Sequence, residues 1–117
     1  MDHIKDFEAF HAHVYFDEAT SDMAKAICQA AGEAFTLTVG RHHEKLVGPH
    51  PRWSCQLAFS RAQLEPVVQW LETHRQGLTV FTHALSGQDL KDHTDHVLWL
   101  GEPVALKLEV FAGNDAG

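Results

Sequence analysis

His11 and His13 stand one residue apart in the run Phe10-His11-Ala12-His13-Val14-Tyr15-Phe16. That run is aromatic and β-branched and too short for a helix, so it is expected to form a strand. Side chains alternate across a strand, placing His11, His13 and Tyr15 on one face. Phe10, Ala12, Val14 and Phe16 take the other, which suits a core. The two histidine attachment points then lie roughly 7 Å apart, a spacing from which two imidazoles can converge on one metal ion. A lone His-x-His pair is more often a polar strand surface than a metal site, so the surrounding elements must decide.

Those elements read in order. Residues 1–8 form a polar lead-in, and Asp17 is a helix N-cap candidate. Glu18 to Ala34 is expected to be helical, with Met23, Ala26, Ile27, Ala30 and Ala31 as an apolar stripe and Gly32 marking its end. Phe35 to Val39 alternates as a half-buried strand, and residues 41–45 are its polar end or a loop. Gly48-Pro49-His50-Pro51 is expected to hold His50 in a stiff turn, because two prolines remove donors and restrict their neighbours. A third strand should run from Trp53 to Phe59. Ser60 then caps a helix from Arg61 to about Gln76, buried along Leu64, Val67, Val68 and Leu71. Leu78 to Ala84 reads as a fourth strand. Asp92-His93-Thr94-Asp95-His96 sits in a loop, Val104 to Phe111 is expected to add a strand, and the tail 113–117 to fray.

The order β-α-β-β-α-β with a C-terminal extension predicts an α+β, ferredoxin-like antiparallel sheet carrying both helices on one face. In that topology the first strand is central and the fourth runs antiparallel beside it. Val80 and Ala84 suit the helix side, leaving Phe81 and His83 on the opposite, open side. His83 should therefore approach His11 and His13, and a convergence of three imidazoles from two segments turns the balance towards a metal site. His50 is expected nearer the far end of the first strand, at the substrate end of the same cleft. The loop carrying His93 is placed to fold over the open face from the His83 side.

Composition narrows the function classes. With 117 residues and 44% apolar content, the chain is expected to form one domain with a substantial core. A formal charge of −7, with nine scattered basic residues, argues against nucleic-acid binding. No apolar run approaches a membrane span, and the N-terminus lacks a signal-peptide core, so a cytoplasmic protein is expected. Cys28 and Cys55 read as small buried apolar residues rather than a disulfide. Ten histidines are the unusual entry in the composition. His42 and His43 read as a solvated strand end, and His3 and His74 as surface residues. His96, three residues after His93, is a weaker candidate for a site. Trp53, Trp70 and Trp99 are expected in the core or an interface.

His11-Ala-His13-Val-Tyr-Phe, Gly48-Pro-His50-Pro, His83, and Asp92-His93-Thr94 followed by Trp99-Leu100-Gly101 together resemble the DOPA 4,5-dioxygenase-like family. These are small fungal-type aromatic ring-cleaving enzymes and their bacterial relatives. The resemblance runs from about residue 8 to 110. It departs at Ala84, where proline is expected, and at Ser86-Gly-Gln-Asp89, where Thr-Gly-Asp is expected. It implies a ferredoxin-like fold and extradiol cleavage of a catechol with molecular oxygen.

That chemistry needs a non-haem ferrous ion, Fe(II), with about three protein ligands on one side; a substitute divalent ion such as zinc is expected only as a stand-in occupant in a crystal. His11, His13 and His83 are the expected ligands. The two-histidine, one-carboxylate alternative would draw on Asp92 or Glu109. His50 and His93 are the candidates for substrate contact and proton transfer, and Tyr15 for orienting a ring hydroxyl. A rival reading is a ferredoxin-like binding or assembly module whose open face is a dimer interface with a structural or incidental metal. A bare sheet face commonly takes a second copy, so a homodimer is expected under either reading.

Overall fold

The computed structural model describes residues 1–111. Its strands are β1 (Ala9–Phe16), β2 (Thr38–His43), β3 (Trp53–Ser60), β4 (Val80–Ala84) and β5 (Val97–Leu100). They form one antiparallel sheet in the order β2-β3-β1-β4-β5. Helices α1 (Ser21–Phe35) and α2 (Arg61–His74) cross one face, and a short helix α3 (Asp89–Asp92) follows β4. The fold is α+β, with a ferredoxin-like order extended by β5 at the edge. No helix among the described residues is long and apolar enough to cross a membrane.

The alternation in β1 sets the layers. Ala12, Val14 and Phe16 join Leu57, Val80 and Ala84 against Ile27, Cys28 and Ala31 of α1 and Leu64, Val67 and Leu71 of α2. Cys28 and Cys55 meet in this core as free thiols; the hydrogen bond between them, together with burial, pushes the Cys28 thiol up.

Several local expectations shift. Asp17 caps a 3₁₀ turn, Glu18–Thr20, through reciprocal bonds with Thr20, and α1 begins only at Ser21. Gly32 lies inside α1 rather than ending it; Thr36, at φ 53°, reverses the chain. At Gly32 a Cβ would stand 2.6 Å from Val39 Cγ2 of β2, so any larger residue forces that valine to shift. β2 starts at Thr38, not Phe35, and runs through Arg41 to His43. α2 stops at His74, after which Gln76 (φ 51°) and Gly77 (φ 84°) turn the chain, so β4 starts at Val80. Val97–Leu100 pairs with β4 and occupies its free edge. Gly101, at φ 82°, then directs the chain away, so Val104 to Phe111 is not a strand but irregular chain ending in a 3₁₀ turn, Leu108–Phe111. The tail 113–117 lies outside the described residues.

The face opposite the helices is not bare. Tyr15 is 3% exposed, Phe81 is fully buried and His83 is 2% exposed. The His50 turn covers it at one side, and the α3 loop and Phe111 at the other. Lys107 N donates to Pro49 O at 2.8 Å, tying the C-terminal extension to the proline turn.

Gly32→Ala is expected to destabilise the fold by about 1 kcal/mol although alanine is the better helix former, because Val39 is stiff at χ1. The double variant Gly32→Ala/Val39→Ala should recover most of that loss in urea unfolding. A stabilised single variant would refute the close packing of β2 on α1.

Candidate functional site

The pairing of β1 with β4 builds the site. His11 stands directly opposite His83, and His13 opposite Phe81. Strand pairs place such residues on the same face, so the three imidazoles project together on the side away from the helices. One ring nitrogen from each of His11, His13 and His83 lies within 4.8 Å of the others. His13 Nε2 and His83 Nε2 are 3.1 Å apart.

The donor chemistry fits a divalent cation. His83 Nδ1–H donates to Ala84 O at 2.9 Å, which leaves the Nε2 lone pair pointing into the cluster. A ligating histidine is commonly anchored through its other nitrogen in this way. A divalent ion held at about 2.1 Å by imidazole nitrogens would keep two of them roughly 3 to 3.5 Å apart, close to the separation here. Burial pushes the His83 imidazole down to about 3, opposed by its bond to Ala84 and reinforced by the neighbouring His93 and His11. Burial followed by crowding from His50, His83 and His11 holds His13 well below the ordinary range. His11, half-buried, is lowered by burial and by His93. All three are therefore neutral at pH 7 and present lone pairs rather than charges.

Two further histidines flank this cluster on opposite sides. The His50 ring lies 4.1 Å from that of His13, centroid to centroid, and its Nδ1 meets Tyr15 Oη at 2.8 Å. Burial first, then His93, lowers His50 to about 4. Burial raises Tyr15, keeping it a phenol. On the other side the His93 ring is 4.2 Å from His83 and 4.6 Å from Phe111, with Nδ1 bonded to Asp89 O. The proline turn thus brings His50 closer to the imidazole cluster than the strand-end placement implied.

The carboxylate alternatives lie elsewhere. Asp92 is buried but saturated: it accepts from Ser86 N, Ser86 Oγ and His96 Nδ1 at 2.7, 2.6 and 2.8 Å. Burial raises its carboxyl, and those hydrogen bonds more than offset this. Glu109 is exposed. Among the described residues the groups able to hold a metal are the three histidines alone. His96 thus acts on the loop rather than on the site. His42 stacks on Phe16 at 4.3 Å and bonds Ser21 Oγ, on the helix side. His74 stacks on Trp70. Trp99, expected in the core or an interface, instead lies on the site face, 4.6 Å from Phe81 and 6.3 Å from Tyr15. Its position opposite Phe81 in the β4–β5 pair follows from the edge strand that the sequence reading did not assign.

Comparison with known proteins gives a consistent picture. The model of the Dopa 4,5-dioxygenase family matches residues 10–110. A Nostoc punctiforme protein of known crystal structure, described as a "putative dioxygenase", is 38% identical with a TM-score of 0.90, covering 98% of this chain and 99% of that one. The DOPA 4,5-dioxygenase of Amanita muscaria is 23% identical over 88% of this chain and 49% of its own length. An uncharacterized 21.2 kDa protein of Botryotinia fuckeliana is 27% identical over 87% of this chain and 62% of its own. The chain therefore spans about half of one of these two curated relatives and under two thirds of the other.

Two outcomes test the site. Calorimetric titration of the metal-free protein with a divalent ion should give one site per chain, lost in His13→Ala and in His83→Ala while circular dichroism stays native. Retention of full stoichiometry in both variants would refute the ligand set. The second concerns pH. Folded-state values near 4 for His50 and 3 for His83 lie below the ordinary 6.5. The unfolded chain then binds more protons between those limits. Stability of the metal-free protein should be full above pH 6.5 and fall as pH drops towards 4. The urea midpoint should follow, and His83→Gln should flatten the fall.

Proposed function

The chain belongs to the Dopa 4,5-dioxygenase family, and from that premise we propose that it opens a catechol ring by extradiol cleavage, using molecular oxygen and a non-haem ferrous ion held by His11, His13 and His83. The observation that carries this reading is the cluster of three neutral imidazoles, His13 and His83 buried and His11 half-buried, with ring nitrogens within 4.8 Å of one another and a further histidine on each side. A ferrous ion bound there would supply adjoining coordination positions for the two ring oxygens and for oxygen.

The chain's own residues carry the rest. His50 accepts a proton from a ring hydroxyl. In the tautomer whose Nδ1–H donates to Tyr15 Oη, its Nε2 keeps a lone pair, and its lowered pKa keeps that nitrogen unprotonated at neutral pH. Tyr15, held as a phenol, retains an O–H to orient a substrate oxygen. His93 contacts the substrate from the His83 side. Trp99, half-buried and packed on Phe81 with ring centroids 4.6 Å apart, offers an apolar surface to the ring and limits water.

The assembly-module alternative drew on a bare sheet face, and burial of Tyr15, Phe81 and His83 on that face favours the enzyme. An intradiol reaction would need a ferric site built partly from tyrosine, and the chain has one tyrosine.

Anaerobically reconstituted protein given a panel of catechols, DOPA among them, and then oxygen should form a yellow hydroxymuconic semialdehyde-type product carrying both oxygen atoms. A colourless dicarboxylic acid would overturn extradiol cleavage. His50→Gln should keep its ferrous ion while kcat falls about 100- to 1000-fold; loss of metal from that variant would mean that His50 is a ligand instead.

A further inference from the structure

Strand β2 does not pair evenly with β3. Val39 stands opposite Leu57 and His42 opposite Cys55, so three steps on β2 match two on β3. The extra residue is a β-bulge, with Gly40 and Arg41 facing Gln56. A Cβ on Gly40 would approach Gln56 Cβ to 3.2 Å, so the bulge keeps a glycine at its crowded position. Its effect is to reset the alternation. Val39 and His42 both face the helices: Val39 Cγ2 lies against Gly32, and His42 bonds Ser21. In an unbroken strand Arg41 and His43 would share Val39's face. The bulge turns both to the metal-centre side instead, where they line a cavity of about 230 Å³. Bulges occur often beside sites, where they re-aim a side chain.

The other walls of that cavity include His13 and His50, with Ser54 and Gln56 of β3 between the two ends. It is therefore continuous with the candidate centre. Its charge is opposite to that of the chain. The sequence carries 16 acidic residues against nine basic ones, yet no carboxylate lines this cavity. Glu44, close by in sequence, points away and accepts from Ser21 Oγ at 2.9 Å. The Arg41 guanidinium has no ion pair among the described residues. Gln56 stands opposite His13, and Arg41 one strand further out, so Arg41 lies about 10 Å from His13 across the sheet. That is comparable to the reach of a catechol ring with a short arm.

We propose that this cavity is the carboxylate subsite of the enzyme, with Arg41 as its specificity-determining residue. The inference rests on the ring-cleavage reading above and deepens it: Arg41, turned to this face by the bulge, is the residue that selects a carboxylate-ended arm over a neutral or cationic one. Arg41 takes that carboxylate through its two-pronged donor edge, with Ser54 and Gln56 offering polar contacts along the arm. A cationic arm alone would meet a guanidinium and be rejected.

Dihydrocaffeate, 4-ethylcatechol and dopamine share a ring and a two-carbon chain and differ in ending in carboxylate, hydrogen or ammonium. The ferrous protein should favour dihydrocaffeate, with dopamine the poorest. Arg41→Gln should raise KM for dihydrocaffeate about tenfold or more, leave kcat within twofold, and leave 4-ethylcatechol unchanged. Turnover of all three arms with similar kcat/KM, or equal losses on dihydrocaffeate and 4-ethylcatechol in the variant, would overturn the subsite while leaving ring cleavage intact. If no catechol reacts, the ring-cleavage reading fails, and calorimetry on the metal-free protein decides the subsite. Dihydrocaffeate binding lost in Arg41→Gln supports it; equal binding in both proteins, or none in either, overturns it.

Discussion

The register between β1 and β4 is the constraint on which everything else depends. His11 faces His83 and His13 faces Phe81 because Val14 faces Val80 and Phe10 faces Ala84. Those apolar pairs are buried against the helices, and burying them fixes the strand offset. A slip of β1 by one residue would drive His11 and His13 into the core, away from His83, and expose Val14 and Ala12. The hydrophobic effect thus positions polar groups that it does not touch. The site inherits the rigidity of the core without sharing its chemistry, as preorganised sites on strands do.

Burying several imidazoles side by side has a cost, since none can become charged without repelling the rest. The surrounding chain holds them by other means. Two prolines stiffen the His50 turn, and the C-terminal extension clamps it through Lys107. Asp92 fixes the opposite loop by accepting three hydrogen bonds, and this keeps His93 beside His83. The carboxylate thus acts as a brace for the loop, outside the cluster of candidate ligands.

This division explains what was legible in the sequence. The alternation in residues 10–16 and the stripe Leu64, Val67, Val68 and Leu71 are periodic, so strand, helix and core face could be read directly, and the meeting of His83 with His11 and His13 followed from topology. What escaped depended on single contacts between distant segments. Gly32 reads as a helix stop until Val39 is known to press on it. Val97–Leu100 is too short to declare itself a strand, and its pairing with β4 is what puts Trp99 on the site face. The burial of that face comes from irregular chain, which carries no period. The bulge at Gly40 and Arg41 is equally silent, because an inserted residue leaves each flanking segment looking like an ordinary strand.

The donor set also bears on which substrates suit the site. Histidines at all three positions contribute no charge, whereas replacing one by a carboxylate would cancel half the charge of a divalent ion. On the proposed reading, a ferrous centre held by neutral ligands keeps its full attraction for an ionised catechol. That attraction would help remove the ring proton that His50 accepts on this reading, and it is strongest where water is excluded. An arm ending in carboxylate adds a further negative charge to the same ligand. A face with no carboxylate around Arg41 and His43 lets that charge approach without repulsion, although the chain as a whole is acidic. The neutral ligands and the basic cavity therefore follow one electrostatic logic, and the bulge in β2 extends it across the sheet.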